Sequence, residues 1–128
     1  MRFYSIVPTR LRELQEPDSG DFLQREGRNA AAVLKRLHDA QSADGDGYGR
    51  ICRILSTVIP GVRSVEYRSL GTRETIKFKQ DVGQKHAWAF DAANMSDGTL
   101  RVLGLLLALY QSAELSLIGI EEPESTVH

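Results

Sequence analysis

The chain has 128 residues, 41% of them hydrophobic and 26% charged, with a formal net charge of -1. That is the size and composition of a single globular domain, and the charge excludes the basic footprint by which many nucleic-acid binders are read. Cys52 is the only cysteine, which excludes an intrachain disulfide framework and a zinc site built on several thiolates.

In chain order, Phe3, Ser5 and Val7 alternate with Tyr4 and Ile6 in a short extended stretch that Pro8 ends. This start has no long apolar segment, so no signal peptide is expected. The stretch from Thr9 to Gly27 is polar and weakly patterned, and Pro17, Asp18, Ser19 and Gly20 mark a loop. Ala30, Val33, Leu34 and Leu37 then recur at helical spacing, which predicts an amphipathic helix from about Asn29 to Gln41. Ser42 to Gly47 reads as a flexible link. A second helix is expected over Tyr48 to Ile59, with Ile51, Ile54, Leu55 and Val58 on one stripe and Pro60-Gly61 as its stop. Cys52, among these apolar neighbours, is read as a buried structural thiol.

From Val62 to Asp91 the period changes to two: Val65 and Tyr67 oppose Glu66 and Arg68, and Ile76 and Phe78 oppose Lys77 and Lys79. With breaks at Gly71-Thr72 and Asp81 to Gln84, this predicts a three-strand antiparallel meander with Trp88 in its core. A helix follows from about Gly98 to Ser112, capped by Ser96 or Asp97. Its Val102 to Tyr110 run is apolar nearly all round, so burial is expected. That run is far shorter than the roughly 20 residues of a membrane span, and a cytoplasmic protein with no membrane partner follows. Leu115 to Ile120 reads as a short, buried parallel strand ending in acids.

Two motifs carry chemistry. In Leu117-Ile118-Gly119-Ile120-Glu121-Glu122-Pro123-Glu124, an apolar strand delivers paired carboxylates at its carboxyl end. Ligands bind beyond such strand ends, and two acids there suit a Mg²⁺ ion and an attacking water. Taken alone, the plainer reading is a core strand followed by a solvated acidic turn. The second motif, Met95-Ser96-Asp97-Gly98-Thr99-Leu100-Arg101, opens the apolar helix. A hydroxyl, a glycine and free helix-end amides favour an anion; an ordinary serine cap is the plainer account.

Together, a Ser-x-Gly-x-x-Arg helix start, an apolar helix and a strand ending in two acids resemble the ABC-type ATPase pattern. The wording here is similar to the predicted AAA ATPases related to RecF and SMC proteins, a group linked to DNA repair, phage defence and toxin–antitoxin systems. Glu26 to Leu34 is also similar to that group's x-Gly-x-Asn-Leu-x-x-x-Leu helix start. The resemblance implies a partial ABC-type P-loop NTPase fold of the α/β class, with an antiparallel meander, a buried signature helix and a Walker B strand. It implies one partial ATPase domain over 1–128, mainly helical over 1–61, antiparallel over 62–94, and holding the signature helix and Walker B strand over 95–128.

The resemblance further implies ATP and Mg²⁺ as cofactors. Glu121 stands at the position of the Mg²⁺-associated acid and Glu122 at that of the catalytic carboxylate. Ser96, Gly98 and Arg101 stand where the signature residues reach the γ-phosphate of ATP held by a partner subunit. The stretch from Glu124 to His128 matches the one that crosses the dimer interface. The phosphate-binding motif Gly-x-x-x-x-Gly-Lys-[Ser/Thr] is absent from the sequence. A Walker A portion or second ATPase subunit, in a homo-oligomer, is therefore the expected partner, and DNA contact stays open. The alternative is a non-catalytic interaction or regulatory fragment of a degenerate ATPase; a plain α/β domain with chance motifs is a third. If the chain is such a fragment, Leu117 to Ile120 should lack its parallel neighbours, and pair with another chain or stay disordered.

Three lookalikes are set aside. Gly45 to Gly49 lacks the Lys-Ser/Thr of a phosphate loop and reads as a linker. Asp44 and Asp46 lack the later ligands of a calcium loop. His38, His86 and His128 have no metal-ligand spacing.

Overall fold

The structure, a computed structural model, describes residues 2–40, 47–81, 83, 88–111 and 118–120. The elements are β1 (Arg2–Tyr4), α1 (Pro8–Arg12), α2 (Ala30–Asp39), α3 (Gly47–Val58), β2 (Val62–Leu70), β3 (Arg73–Gln80), β4 (Trp88–Asp91), α4 (Asp97–Tyr110) and β5 (Ile118–Ile120). A single 3-10 turn, Ala92–Asn94, links β4 to the approach to α4. The described residues form a mixed α/β fold with two sheets.

The expected meander is present as β2-β3-β4, antiparallel throughout. Gly71 takes φ +60° at the first position of the two-residue turn that closes the Leu70↔Arg73 pair, a conformation that tight hairpins favour in glycine. Val65, Ile76 and Phe78 are fully buried on the inner face. On the outer face Lys77 pairs with Asp91 at 3.0 Å and Lys79 with Glu66 at 2.8 Å. Trp88 departs from its expected place in the core: it is 53% exposed and stacks on Phe90. The alternation puts Trp88 on the inner face with Phe90, but β4 is the edge strand of the described sheet and Trp88 is its first residue.

The second sheet pairs β1 with β5 in parallel, Arg2↔Ile118, Phe3↔Gly119 and Tyr4↔Ile120. Residues 118–120 therefore do not wait for another chain. The extended N-terminal stretch supplies their neighbour, and Leu115 to Leu117 of the expected strand lie outside the described residues. Strands running in parallel end together, so Tyr4 and Ile120 mark one carboxyl edge.

The helices close over these sheets with one continuous core. In α2, Ala30 to Leu34 are buried, and Lys35 and Asp39 form an i,i+4 ion pair at 2.7 Å on the outer side. In α3, Ile51 and Leu55 are buried, Ile54 is partly covered and Val58 is exposed. This helix starts at Gly47, inside the stretch expected to be a link; residues 41–46 lie outside the described ones. Cys52 is half-buried against the core. Tyr48 donates to the Val65 carbonyl at 2.7 Å; burial first, and then neighbouring Cys52, pushes its phenol above the ordinary value.

Leu100, Leu103 and Leu107 of α4 are fully buried at i, i+3 and i+7. The helix is not covered all round as its composition suggested, because Leu109 is 52% exposed. Gly104 lets Ile6 lie against the middle of α4: a Cβ there would come within 2.7 Å of Ile6 Cγ2. At the far end, Gln111 donates to the Tyr4 hydroxyl and accepts from the Leu23 amide. The chain just after β1 is thus packed along α4, and β1 itself is tied to the end of that helix.

The polar stretch before α2 holds the main departure from the sequence reading. It contains α1, five residues long, with Pro8 at its first position and Leu11 buried. It also contains a web of buried amides. Gln15 Nε2 donates to the carbonyls of Arg10 and Gly27 at 3.0 and 3.1 Å, and Oε1 accepts from the Ala31 amide at 2.9 Å. Asn29, at the N-cap of α2, makes no capping bond of its own. Its side chain instead binds Asp18, the Phe22 carbonyl and the Gln24 amide.

Candidate functional site

The best-formed candidate is the tip of α4. Ser96 has extended backbone angles, φ -69° and ψ 159°, and its Oγ accepts from the Thr99 amide at 3.2 Å. A second contact joins the Ser96 and Thr99 hydroxyls at 2.9 Å. Met95 is buried just before the cap, whereas Ser96, Asp97 and Gly98 are exposed. The serine is therefore both a structural cap and a hydroxyl at the surface. Replacing Ser96 by alanine should cost about 1 kcal/mol through loss of the cap, measurable by urea unfolding.

Gly98 is informative by what surrounds it. A Cβ built there would meet no atom within 4 Å, and its φ does not lie in the left-handed region. Nothing among the described residues requires glycine at this position. A glycine on the first turn of a helix, where amides lack partners in their own helix, leaves room for a group approaching from outside. Arg101 follows one turn later, half-buried, and its guanidinium has no ion-pair partner among the described residues.

Sequence reasoning missed Arg12, at the end of α1. Its Nη2 and Nε donate to the Met95 carbonyl at 2.9 and 3.3 Å, and Nη2 also donates to the Asp97 carboxylate. One guanidinium thus grips both sides of Ser96. Its partners lie 83 and 85 residues away, so no local pattern signals the contact.

The other half of the expected site begins at the carboxyl edge of β1 and β5. Ile120 is the last described residue of β5, and Glu121 follows it directly in sequence. Glu121, Glu122 and Glu124 to His128 lie outside the described residues. The structure brings Ser96, Gly98 and Arg101 together on successive turns of one helix, and places neither acid relative to them.

A family model described as "AAA domain, putative AbiEii toxin, Type IV TA system" matches residues 6–128. The chain belongs to this family. No curated protein and no solved structure matches it significantly. Membership makes the chain a partial AAA-type, P-loop-related ATPase domain and puts its function among nucleotide-binding proteins.

Among the described residues no helix is long and apolar enough to cross a membrane, and no group of three or more His, Cys, Asp and Glu side chains could hold a metal ion. A cleft of about 380 Å³ lies between α1 and the start of α2, lined by Arg10, Glu13, Gln15, Arg28, Asn29 and Arg73 among others. Ser96, Gly98 and Arg101 do not line it. Its charges are largely matched within the chain, Arg10 lying near Glu13 and Glu26, and Arg28 near Glu26.

Proposed function

We propose that this AAA domain contributes to ATP binding and hydrolysis in a larger, dimerising assembly of the ABC/RecF type, whose phosphate-binding loop comes from another segment or subunit. The observation that carries this reading is the α4 tip, where a helix-capping serine and an unobstructed glycine are exposed at the start of a helix with a long apolar run. Its open surface fits a phosphate, because helix-end amides and a hydroxyl are suited to an anion.

On this reading α4 is the signature helix, and β5 belongs to the Walker B strand. Ser96 and Gly98 contact the γ-phosphate of ATP held by the opposing subunit, and Arg101 adds positive charge beside them. Glu121 helps hold Mg²⁺, and Glu122 orients the attacking water as general base. Bound Mg·ATP supplies the transferable phosphoryl group and the cation that neutralises its charge. The whole of 1–128 acts as one partial ATPase domain in the cytoplasm, in work of the DNA-repair or phage-defence kind.

Turnover by the longest natural protein that carries this segment tests the assignment. Glu122→Gln should lower kcat by about 100-fold or more while ATP binding persists; unchanged turnover rejects the catalytic role. The absence of a Gly-x-x-x-x-Gly-Lys-[Ser/Thr] motif favours a second reading, a non-catalytic fragment that only associates with an ATPase. That reading expects no hydrolysis in any protein carrying this segment.

A further inference from the structure

We propose that Arg12 is a positioning residue that sets the turn from Met95 to Gly98, and so determines how Ser96 and Gly98 are presented to a partner's nucleotide. This rests on the assignment of the α4 tip as a phosphate contact. Three observations support it. The guanidinium takes the Met95 carbonyl with two nitrogens and the Asp97 carboxylate with one of them, bracketing Ser96 from both sides. Arg12 is only 28% exposed in its side chain, against 59% for Asp97, so the fork is braced by the protein and the acid comes out to meet it. Finally, Ser96 and Gly98 themselves are exposed, and the first turn needs an outside brace to hold one geometry.

The origin of Arg12 gives the contact its consequence. It ends α1, which follows β1 after only three residues, and β1 ends beside Ile120. The chain after β1 is itself pinned, with the Ser5 amide bonded to the Arg25 carbonyl and the Val7 amide to the Glu26 carbonyl. The residue that steadies the helix tip is therefore anchored at the sheet edge after which Glu121 and Glu122 come in sequence. Lysine cannot replace it fully, because a point charge lacks the planar fork that reaches two acceptors at once.

Amide hydrogen exchange of the intact chain without nucleotide tests the clamp apart from the ATPase assignment. Arg12→Ala should speed exchange at Thr99 and Leu100 by about ten-fold or more, the loss expected for charge-assisted hydrogen bonds to a partly buried carbonyl. Val33 and Leu34 in α2 should stay unchanged, and Arg12→Lys should fall between Arg12→Ala and the native chain. Should Arg12→Ala fail to fold, Arg12→Lys alone carries the test, with faster exchange confined to the tip as its expected result. Exchange at Thr99 and Leu100 that stays native in the folded variants overturns the proposal. So does an acceleration matched at Val33 and Leu34, which makes Arg12 a general structural support.

Discussion

Gly20→Ala should destabilise the chain by about 3 kcal/mol, which combines left-handed backbone strain with a steric clash. Gly20 is buried, with φ +74°, and a Cβ there would lie 2.4 Å from the Ala32 carbonyl oxygen and 2.7 Å from the Ala32 carbonyl carbon. Both neighbours are backbone atoms inside α2, so no side chain can turn aside. The loop has to lift off the helix. Doing so would disturb the bonds that the Asp18 carboxylate accepts from the Gly20 amide at 2.9 Å and from Asn29 Nδ2 at 2.8 Å. Urea unfolding measures the loss, and a change under 1 kcal/mol would show that the loop can shift without penalty.

Gln15→Leu should cost a similar amount, about 3 kcal/mol, for a different reason. The replacement keeps the volume and the backbone bridge to Glu74, whose two bonds are 2.7 and 2.8 Å long. It removes every partner that the Gln15 amide supplies. The Ala31 amide, in the first turn of α2, loses its acceptor, and the Gly27 and Arg10 carbonyls lose a donor. Each buried group left unpaired costs about 1–3 kcal/mol. Calorimetry should show a lower Tm with cooperative unfolding retained. A Gln15→Leu chain as stable as the native one would mean that water satisfies these groups.

These two positions also show where sequence reading stops. The elements with strong periodicity were legible: α2, α3, α4 and the three-strand meander follow from apolar spacing and from glycine and proline breaks. The Ser96 cap was legible too, because its hydroxyl acts on a residue three places away. Gln15 acts at a distance of 16 residues in sequence, and Arg12 on the approach to α4; both sit in a stretch whose composition reads as loop. The short helix α1 leaves no periodic trace, since five residues give only Pro8 and Leu11 to the core. Gly20, read as a loop marker, proves to be a point of backbone contact.

Trp88 shows the complementary error. Period-two alternation assigns the correct face of β4, yet burial depends on what stands opposite, and at the start of an edge strand little does. For β5, an apolar strand with acids after it was legible, and so was the extended stretch that holds β1, whereas their pairing was not: three residues of extended chain carry too little pattern to specify a parallel partner 116 positions away. The resemblance to an ATPase family was legible in the order of helix tip, apolar helix and acid-ended strand, and the family model that matches residues 6–128 agrees with it.

In the proposed function the α4 tip receives the terminal phosphates of ATP. Backbone amide shifts of the longest natural protein that carries this segment, isotopically labelled and titrated with Mg·ATP and in parallel with AMP, test it. The expected result is that Asp97, Gly98 and Thr99 move with Mg·ATP and stay still with AMP, and that Ser96→Ala weakens the response. Amides at the tip that ignore Mg·ATP, or respond equally to AMP, would contradict the account.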